Sequence, residues 1–205
     1  MREETNFDAG REIAISMQSP TGPKRIVLRF PTDDEWIERQ RKRKVIVKQL
    51  GRGISETIVP DYSTDDLKFA ASIRVDKDGP EIDEYEAQRI IDQLSLSEVD
   101  DVQQESPAFV VSLRVAGAVT RHYLRMPSAK DIIRYKRSFA RILDLPFSRQ
   151  EVTVNLNAAS ELYKSISERT ENYTGAVPVI HQATVVKAVL ESLESGFGVA
   201  GSENF

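Results

Sequence analysis

The chain has 205 residues, a formal net charge of −4 at pH 7 and no cysteine, which excludes disulfide frameworks and thiolate chemistry. Hydrophobic residues make up 40% and charged residues 29%, enough for a packed core under an ionic surface. The acidic balance gives no general attraction to nucleic acid or anionic membrane.

Residues 1–10 are polar and are expected to form a flexible N-terminus without the apolar core of a secretory signal. Glu12-Ile-Ala-Ile-Ser-Met17 alternates apolar and polar residues, and Arg25-Ile-Val-Leu-Arg-Phe30 follows after the turn cluster Ser19 to Pro23, so a β-hairpin is expected. Pro31 ends the second strand. Thr32 and Glu35 then have the spacing of a capping box, which opens a helix over 36–50 that stops at Gly51-Arg-Gly53. Further helices are expected from Ser63 and over Glu84 to Leu94. Residues 96–107 are acidic and polar and read as a linker.

The second half repeats this order. Phe109 to Val115 and Thr120 to Met126 make a hairpin, Pro127 ends it, and Ser128 with Asp131 caps a helix over 129–144 that stops before Pro146. Helices follow over Asn157 to Ile166 and Ala183 to Leu193, and 195–205 reads as a flexible tail. Arg25 to Arg41 and Arg121 to Arg137 align without a gap and share Arg, Leu, Arg, Pro, Ile and Arg, the mark of a duplicated unit. The expected fold is α+β: two tandem copies of a β-hairpin followed by about three α-helices, with module 1 at 11–95 and module 2 at 108–194.

No pattern points to an enzyme. There is no phosphate-binding loop, since Gly51-Arg-Gly53 lacks the lysine and hydroxyl that would follow. There is no Gly-x-Ser-x-Gly turn. His122 and His181 stand alone in sequence, without the spacing of metal ligands, so neither a metal nor a cofactor is expected. The acidic pairs Asp33-Asp34 and Asp65-Asp66 fall in predicted first turns, where helix dipoles account for them. The loudest local signal is the basic run Arg39 to Lys44, which includes Arg41 and Arg43. The matching helix carries Arg134, Arg137 and Arg141. Against these stand eleven acidic residues between Asp76 and Glu105, a segregation that permits pairing within the chain or between subunits. Trp36 is the only tryptophan; it reads either as packing for its helix or as an interface anchor. The candidate partner-binding set is therefore Trp36, Arg39, Arg41, Arg43, Lys44, Arg134, Arg137 and Arg141.

The segments Val27-Leu-Arg-Phe-Pro-Thr-Asp-Asp-Glu35 and Tyr123-Leu-Arg-Met-Pro-Ser-Ala-Lys-Asp131 resemble a pattern in tail assembly chaperones of tailed bacteriophages, here present twice. The resemblance implies a non-enzymatic assembly protein in the host cytoplasm, with a tape measure or other tail protein as partner. A nucleic-acid-binding regulator using the basic helices 36–50 and 129–144, and a virion connector or tail subunit, are the alternatives. No apolar run nears the roughly 20 residues of a membrane span, so no membrane partner is expected.

Overall fold

The computed structural model describes residues 5–6, 10–19, 22–105 and 108–200. The fold is α+β. The first half runs β1 (Thr5–Asn6), β2 (Glu12–Ser19), β3 (Gly22–Arg29), α1 (Asp33–Lys42), β4 (Lys44–Gly51), β5 (Ile54–Ile58), α2 (Ser63–Ser72) and α3 (Glu84–Ser95). The second half runs β6 (Glu98–Glu105), β7 (Ala108–Val115), β8 (Ala118–Arg125), α4 (Ala129–Phe139), β9 (Ala140–Leu145) and β10 (Arg149–Val154), then α5 (Leu156–Ile166), β11 (Ser167–Glu171), β12 (Tyr173–Thr174) and α6 (Val179–Ala200). Each half thus contains the expected hairpin and three helices. Between the first and second helix each also contains a second hairpin, β4-β5 or β9-β10, whose first strand falls largely within the span expected to be helical.

Four expectations are corrected. The helix over 36–50 ends at Lys42, and 44–51 is strand β4. Val45-Ile-Val47 is β-branched, which restricts side-chain rotamers in a helix and favours the pleated strand. Gly51-Arg52-Gly53 is the turn of this hairpin, not a helix cap, with φ of 86°, 54° and 76°. The helix over 129–144 likewise ends at Phe139 and gives way to β9. Within the expected linker at 96–107, Glu98–Glu105 is strand β6, which occupies the edge of β7 with Glu98 opposite Arg114 and Val102 opposite Val111. Within the expected flexible termini, Thr5–Asn6 pairs in parallel with β12 and α6 continues to Ala200. Residues 1–4, 7–9 and 201–205 lie outside the described residues.

The chain divides into two compact units, 7–95 with 138–155, and 1–6 with 96–137 and 156–205. Residues 138–155 of the second copy belong to the unit built on the first, an exchange absent from the tandem scheme. In the first unit β2 and β3 pair antiparallel with Ile15 opposite Ile26. Alternation puts Ile15, Met17, Ile26 and Leu28 on a buried face. Ile73, at the end of α2, and Ile90 and Ile91 of α3 complete this core. In the second unit the sheet order is β11-β8-β7-β6. Phe109, Val111 and Leu113 alternate inward and are buried, as are Ile166 of α5 and Val185 and Val189 of α6.

The repeated Leu-Arg-x-Pro segment has the same structural task in both units. Thr32 caps α1: its hydroxyl accepts from Glu35 N–H at 3.2 Å, while its own N–H donates to Glu35 Oε2 at 2.9 Å. Arg29, from the end of β3, donates to both Glu35 oxygens and reaches Ser72 O at the end of α2. In the second unit Ser128 and Asp131 exchange the same two bonds at 3.2 and 3.0 Å. Arg125 donates to Asp131 and to Ser165 O near the end of α5. The arginine therefore ties the hairpin to the start of one helix and the end of the next. After each second helix the chain returns to the hairpin, by the bridge Leu28↔Arg74 in one unit and the full strand pairing Ser167↔Leu124 in the other.

Candidate protein-binding surface

The structure separates the predicted partner-binding residues into three groups. Trp36 is core: it is 1% exposed and its ring lies 5.4 Å from that of Phe69. It is therefore no interface anchor. Arg39 and Arg43 both bind Asp66, a buried carboxylate on α2; Arg39 approaches it at 2.9 Å. Arg39 also lies over Trp36 and Phe69, 5.9 and 5.6 Å from the ring centroids. Burial lowers the pKa of Arg39, the Arg43 charge adds to that, and Asp66 opposes it. These two arginines are spent inside the unit.

Arg41 is exposed and pairs with Glu38, while Lys44 pairs with Glu151 of β10 at 2.9 Å. Arg134, Arg137 and Arg141 are exposed and make no ion pair among the described residues. The basic run and the acidic block do not pair as blocks. Asp76 takes Arg74, Glu86 takes Lys24 and Asp100 takes Arg114.

The feature not seen in the sequence is the sheet made by the two inserted hairpins. Its order is β5-β4-β10-β9, so β4 of the first copy pairs with β10 of the second. Lys44↔Thr153, Val45↔Val152, Ile46↔Glu151 and Val47↔Gln150 form the seam. Antiparallel partners share a face. One face carries Val45, Val47, Val152, Val154 and Ile142; the other carries Ile46, Ile58 and Leu143 among Lys44, Lys48, Glu56, Glu151 and Arg141. No residue of the four strands is buried. β5 is exposed along its whole length.

A sheet normally buries at least one face. Here large apolar side chains remain in solvent: Ile54, Ile58, Val59, Ile142, Leu143 and, at the turn of the second hairpin, Phe147, which is 87% exposed. Phe147 also has a φ of 62°, in the left-handed region that non-glycine residues rarely enter. Both outer strands offer open backbone edges. Within Ile54-Ser-Glu-Thr-Ile58 and Ala140-Arg-Ile-Leu-Asp-Leu145 there is no lysine or proline, and the charges that guard these edges are Glu56 on one and Arg141 and Asp144 on the other.

Two other polar clusters have structural explanations. His122 and His181, solitary in sequence, fall in one buried network of the second unit. His122 Nδ1 bonds Tyr163 OH at 2.9 Å and its Nε2 bonds Thr120 Oγ1 at 3.2 Å. Tyr173 OH bonds His181 Nδ1 at 2.6 Å, and the rings of His122 and Tyr173 meet edge to face. Burial pushes both histidines down to about 4, with the His122 charge adding to the effect on His181. No group of metal-ligating side chains occurs among the described residues.

An open depression of about 710 Å³ in the first unit is lined by Arg43, Tyr62, Asp61, Asp66, Asp83 and Glu84. Its acids already have tasks. Asp61 accepts from Ser63 N–H, Asp83 from Glu86 N–H and Glu84 from the Thr64 hydroxyl, while Asp66 holds the two arginines.

No family model matches the chain, and no curated protein or solved structure is significantly similar to it. No helix among the described residues is long and apolar enough to cross a membrane.

Proposed function

We propose that the protein is a non-enzymatic protein-binding assembly factor that works through the sheet β5-β4-β10-β9. The carrying observation is that this sheet buries none of its residues and leaves both edges open while presenting aliphatic side chains to solvent. Such a surface gains free energy by meeting another protein, either face to face or by adding a strand. The reading places the protein in the cytoplasm and assigns it no cofactor. The resemblance of Val27 to Glu35 and Tyr123 to Asp131 to tail assembly chaperones supports a finer proposal, service in bacteriophage tail assembly with a tape measure or other tail protein as partner. The clamp made by Arg29 and Arg125 gives those segments a folding role of their own, so the sheet carries the argument and the motif does not.

The nucleic-acid reading keeps one favourable observation, the exposed Arg134, Arg137 and Arg141. It loses Arg39 and Arg43 to Asp66. The test is capture of partners from a lysate of the source organism by the tagged full chain, with and without nuclease. Capture that survives nuclease and is lost in Ile142→Lys/Leu143→Lys supports the protein-binding role. Capture that nuclease abolishes, that weakens steeply with salt and that is lost in Arg134→Glu/Arg137→Glu overturns it.

A further inference from the structure

The seam at the middle of the exposed sheet joins two copies of the same hairpin, and it joins them head to tail. The equivalences follow from contacts on either side. Tyr62 before α2 bonds the backbone of Lys44, where α1 gives way to β4. Asn155 before α5 bonds the backbone of Ser138 and Phe139, where α4 gives way to β9. Ser72 and Ser165 each donate to a carbonyl one turn back and close these helices. Counting back from Tyr62 and Asn155, Glu151 of β10 is equivalent to Ile58 of β5. Within the hairpins, Ile58 pairs with Ile46 and Glu151 pairs with Leu143, so Leu143 is equivalent to Ile46.

The seam therefore pairs the first strand of one hairpin with the second strand of the other. A pairing of that kind is heterologous: it leaves one unused edge of each type, β9 and β5, at opposite ends of the sheet.

From this geometry we propose that β9 of one molecule pairs antiparallel with β5 of a second copy, in the register of the internal seam, so that the chain assembles head to tail into a ring or filament. The proposal rests on the protein-binding reading of this sheet and names the partner. Replacing each member of the seam pair Ile46↔Glu151 by its equivalent gives Leu143 opposite Ile58 of the next molecule. Val45↔Val152 becomes Ile142 opposite Val59.

Ile58 and Val59 are 39% and 63% exposed, and Leu143 and Ile142 are 49% and 59% exposed. A register derived only from the seam brings these two sets together pair by pair. Apolar pairs directly across an antiparallel ladder stabilise it. A shift by two residues would instead set Leu143 against Glu56 and Ile142 against Thr57 and gain Leu145 against Ile54, so the seam register, which sets Leu145 against Glu56, keeps two directly opposed apolar pairs where the shift keeps one. Parity is also respected, since Leu143 and Ile58 share one face with Ile46. The internal seam shows that this hairpin accepts a neighbour on either side, β4 through its first strand and β10 through its second.

The chain has no cysteine, which makes disulfide trapping direct. Full-length Leu143→Cys and Ile58→Cys variants, one tagged, are mixed and oxidised. Directly opposed residues lie about 4.5–5.5 Å apart at Cβ, within reach of a disulfide after small adjustment. The expected result is a cross-linked dimer holding one chain of each kind, and a ladder of higher species from the Leu143→Cys/Ile58→Cys double variant. Ile142→Cys with Val59→Cys is the second pair, in case the first is poorly oriented. Sedimentation velocity should show mass rising with concentration for the unmodified chain and a monomer for Leu143→Lys. Unchanged Trp36 fluorescence in Leu143→Lys confirms that it is folded.

A chain that stays monomeric at every concentration overturns the proposal. So does cross-linking of Leu143→Cys to itself in place of Ile58→Cys, because that contact is isologous. If the chain is monomeric and yet loses a nuclease-resistant partner in Ile142→Lys/Leu143→Lys, head-to-tail assembly falls while the protein-binding reading stands.

Discussion

Replacing Asp66 with Asn removes the counter-charge of two guanidiniums at once. The Asp66 side chain is 2% exposed, that of Arg39 13% and that of Arg43 26%. Breaking a buried ion pair from one side strands the other charge and costs about 3–5 kcal/mol. Arg43 is exposed enough to recover water, so the loss falls on Arg39 and the expected destabilisation is about 3 kcal/mol. Arg39 is held over Trp36 and Phe69 and cannot leave without giving up that packing. The stranded charge, not the lost bond, is then the main cost. Adding Arg39→Met to Asp66→Asn removes that charge and keeps an aliphatic stem on the rings, so it should restore about 1–2 kcal/mol, within the range seen when buried ion pairs become apolar. The assay is urea unfolding followed by Trp36 fluorescence, which reports this unit alone because Trp36 is the only tryptophan. Asp66→Asn within about 1 kcal/mol of the parent, or a double variant no more stable than Asp66→Asn, would refute the reasoning.

Trp36→Ala should cost about 3–5 kcal/mol as a core truncation, whereas Trp36→Phe should leave partner capture unchanged; loss of capture in a folded Trp36→Phe protein would return Trp36 to the binding surface. Thr32→Ala should cost about 1 kcal/mol by removing the cap of α1, read from the same urea curves. The Arg29 guanidinium holds Glu35 down to about 2, so this carboxylate contributes stability above its usual range that is lost as pH falls through about 2. Glu35→Ala should therefore flatten the acid limb of a stability–pH profile. His122 and His181 are held at about 4 against a usual value near 6.5, so the unfolded chain binds more protons between those limits. Stability of the second unit should fall as pH drops from about 6.5 to 4, by up to about 3 kcal/mol for each histidine. Imidazole proton signals of the chain's two histidines should stay in the neutral form at pH 5; titration of either near 6.5 would contradict their burial.

The sequence made the first hairpins, the caps of α1 and α4 and the presence of six helices legible, because each has a local signal, although α6 starts at Val179, ahead of the expected Ala183. Alternation, proline, a hydroxyl and an acid three residues on are short-range features. What it hid was strand β4 behind α1. Arg39-Gln-Arg-Lys-Arg-Lys44 continues a helical charge pattern to the residue where the chain turns, and Val45-Ile-Val47 is short enough to be read as an apolar stripe. Strand β6 was hidden for a different reason. Asp100 and Asp101 are poor strand residues, and the open edge of β7 overrides their preference. The partner of the basic run was also out of reach. Asp66 lies on a separate helix, and its sequence neighbourhood marks it only as a first-turn acid. The candidate surface was least legible of all, because it exists only where hairpins far apart in sequence meet.

The duplication and the open sheet follow from one another on simple grounds. Two identical hairpins can meet through like edges, which closes a pair, or through unlike edges, which does not. The seam of β4 with β10 is of the second kind. Fusing two copies in one chain saves the entropy of bringing the first pair of hairpins together, but it leaves as many free edges as a single hairpin has. Evolution toward a closed monomer would have favoured lysine, proline or a bulge on β5 and β9, or shorter apolar side chains there. The outer strands carry isoleucine and leucine beside Glu56, Arg141 and Asp144, and neither contains lysine or proline. The register irregularity lies inside the hairpin, between Gln49 and Gly51 of β4, and not on an outer edge. Both facts are what selection for a partner at those edges would leave, and in the proposed head-to-tail contact that partner presents the complementary strand.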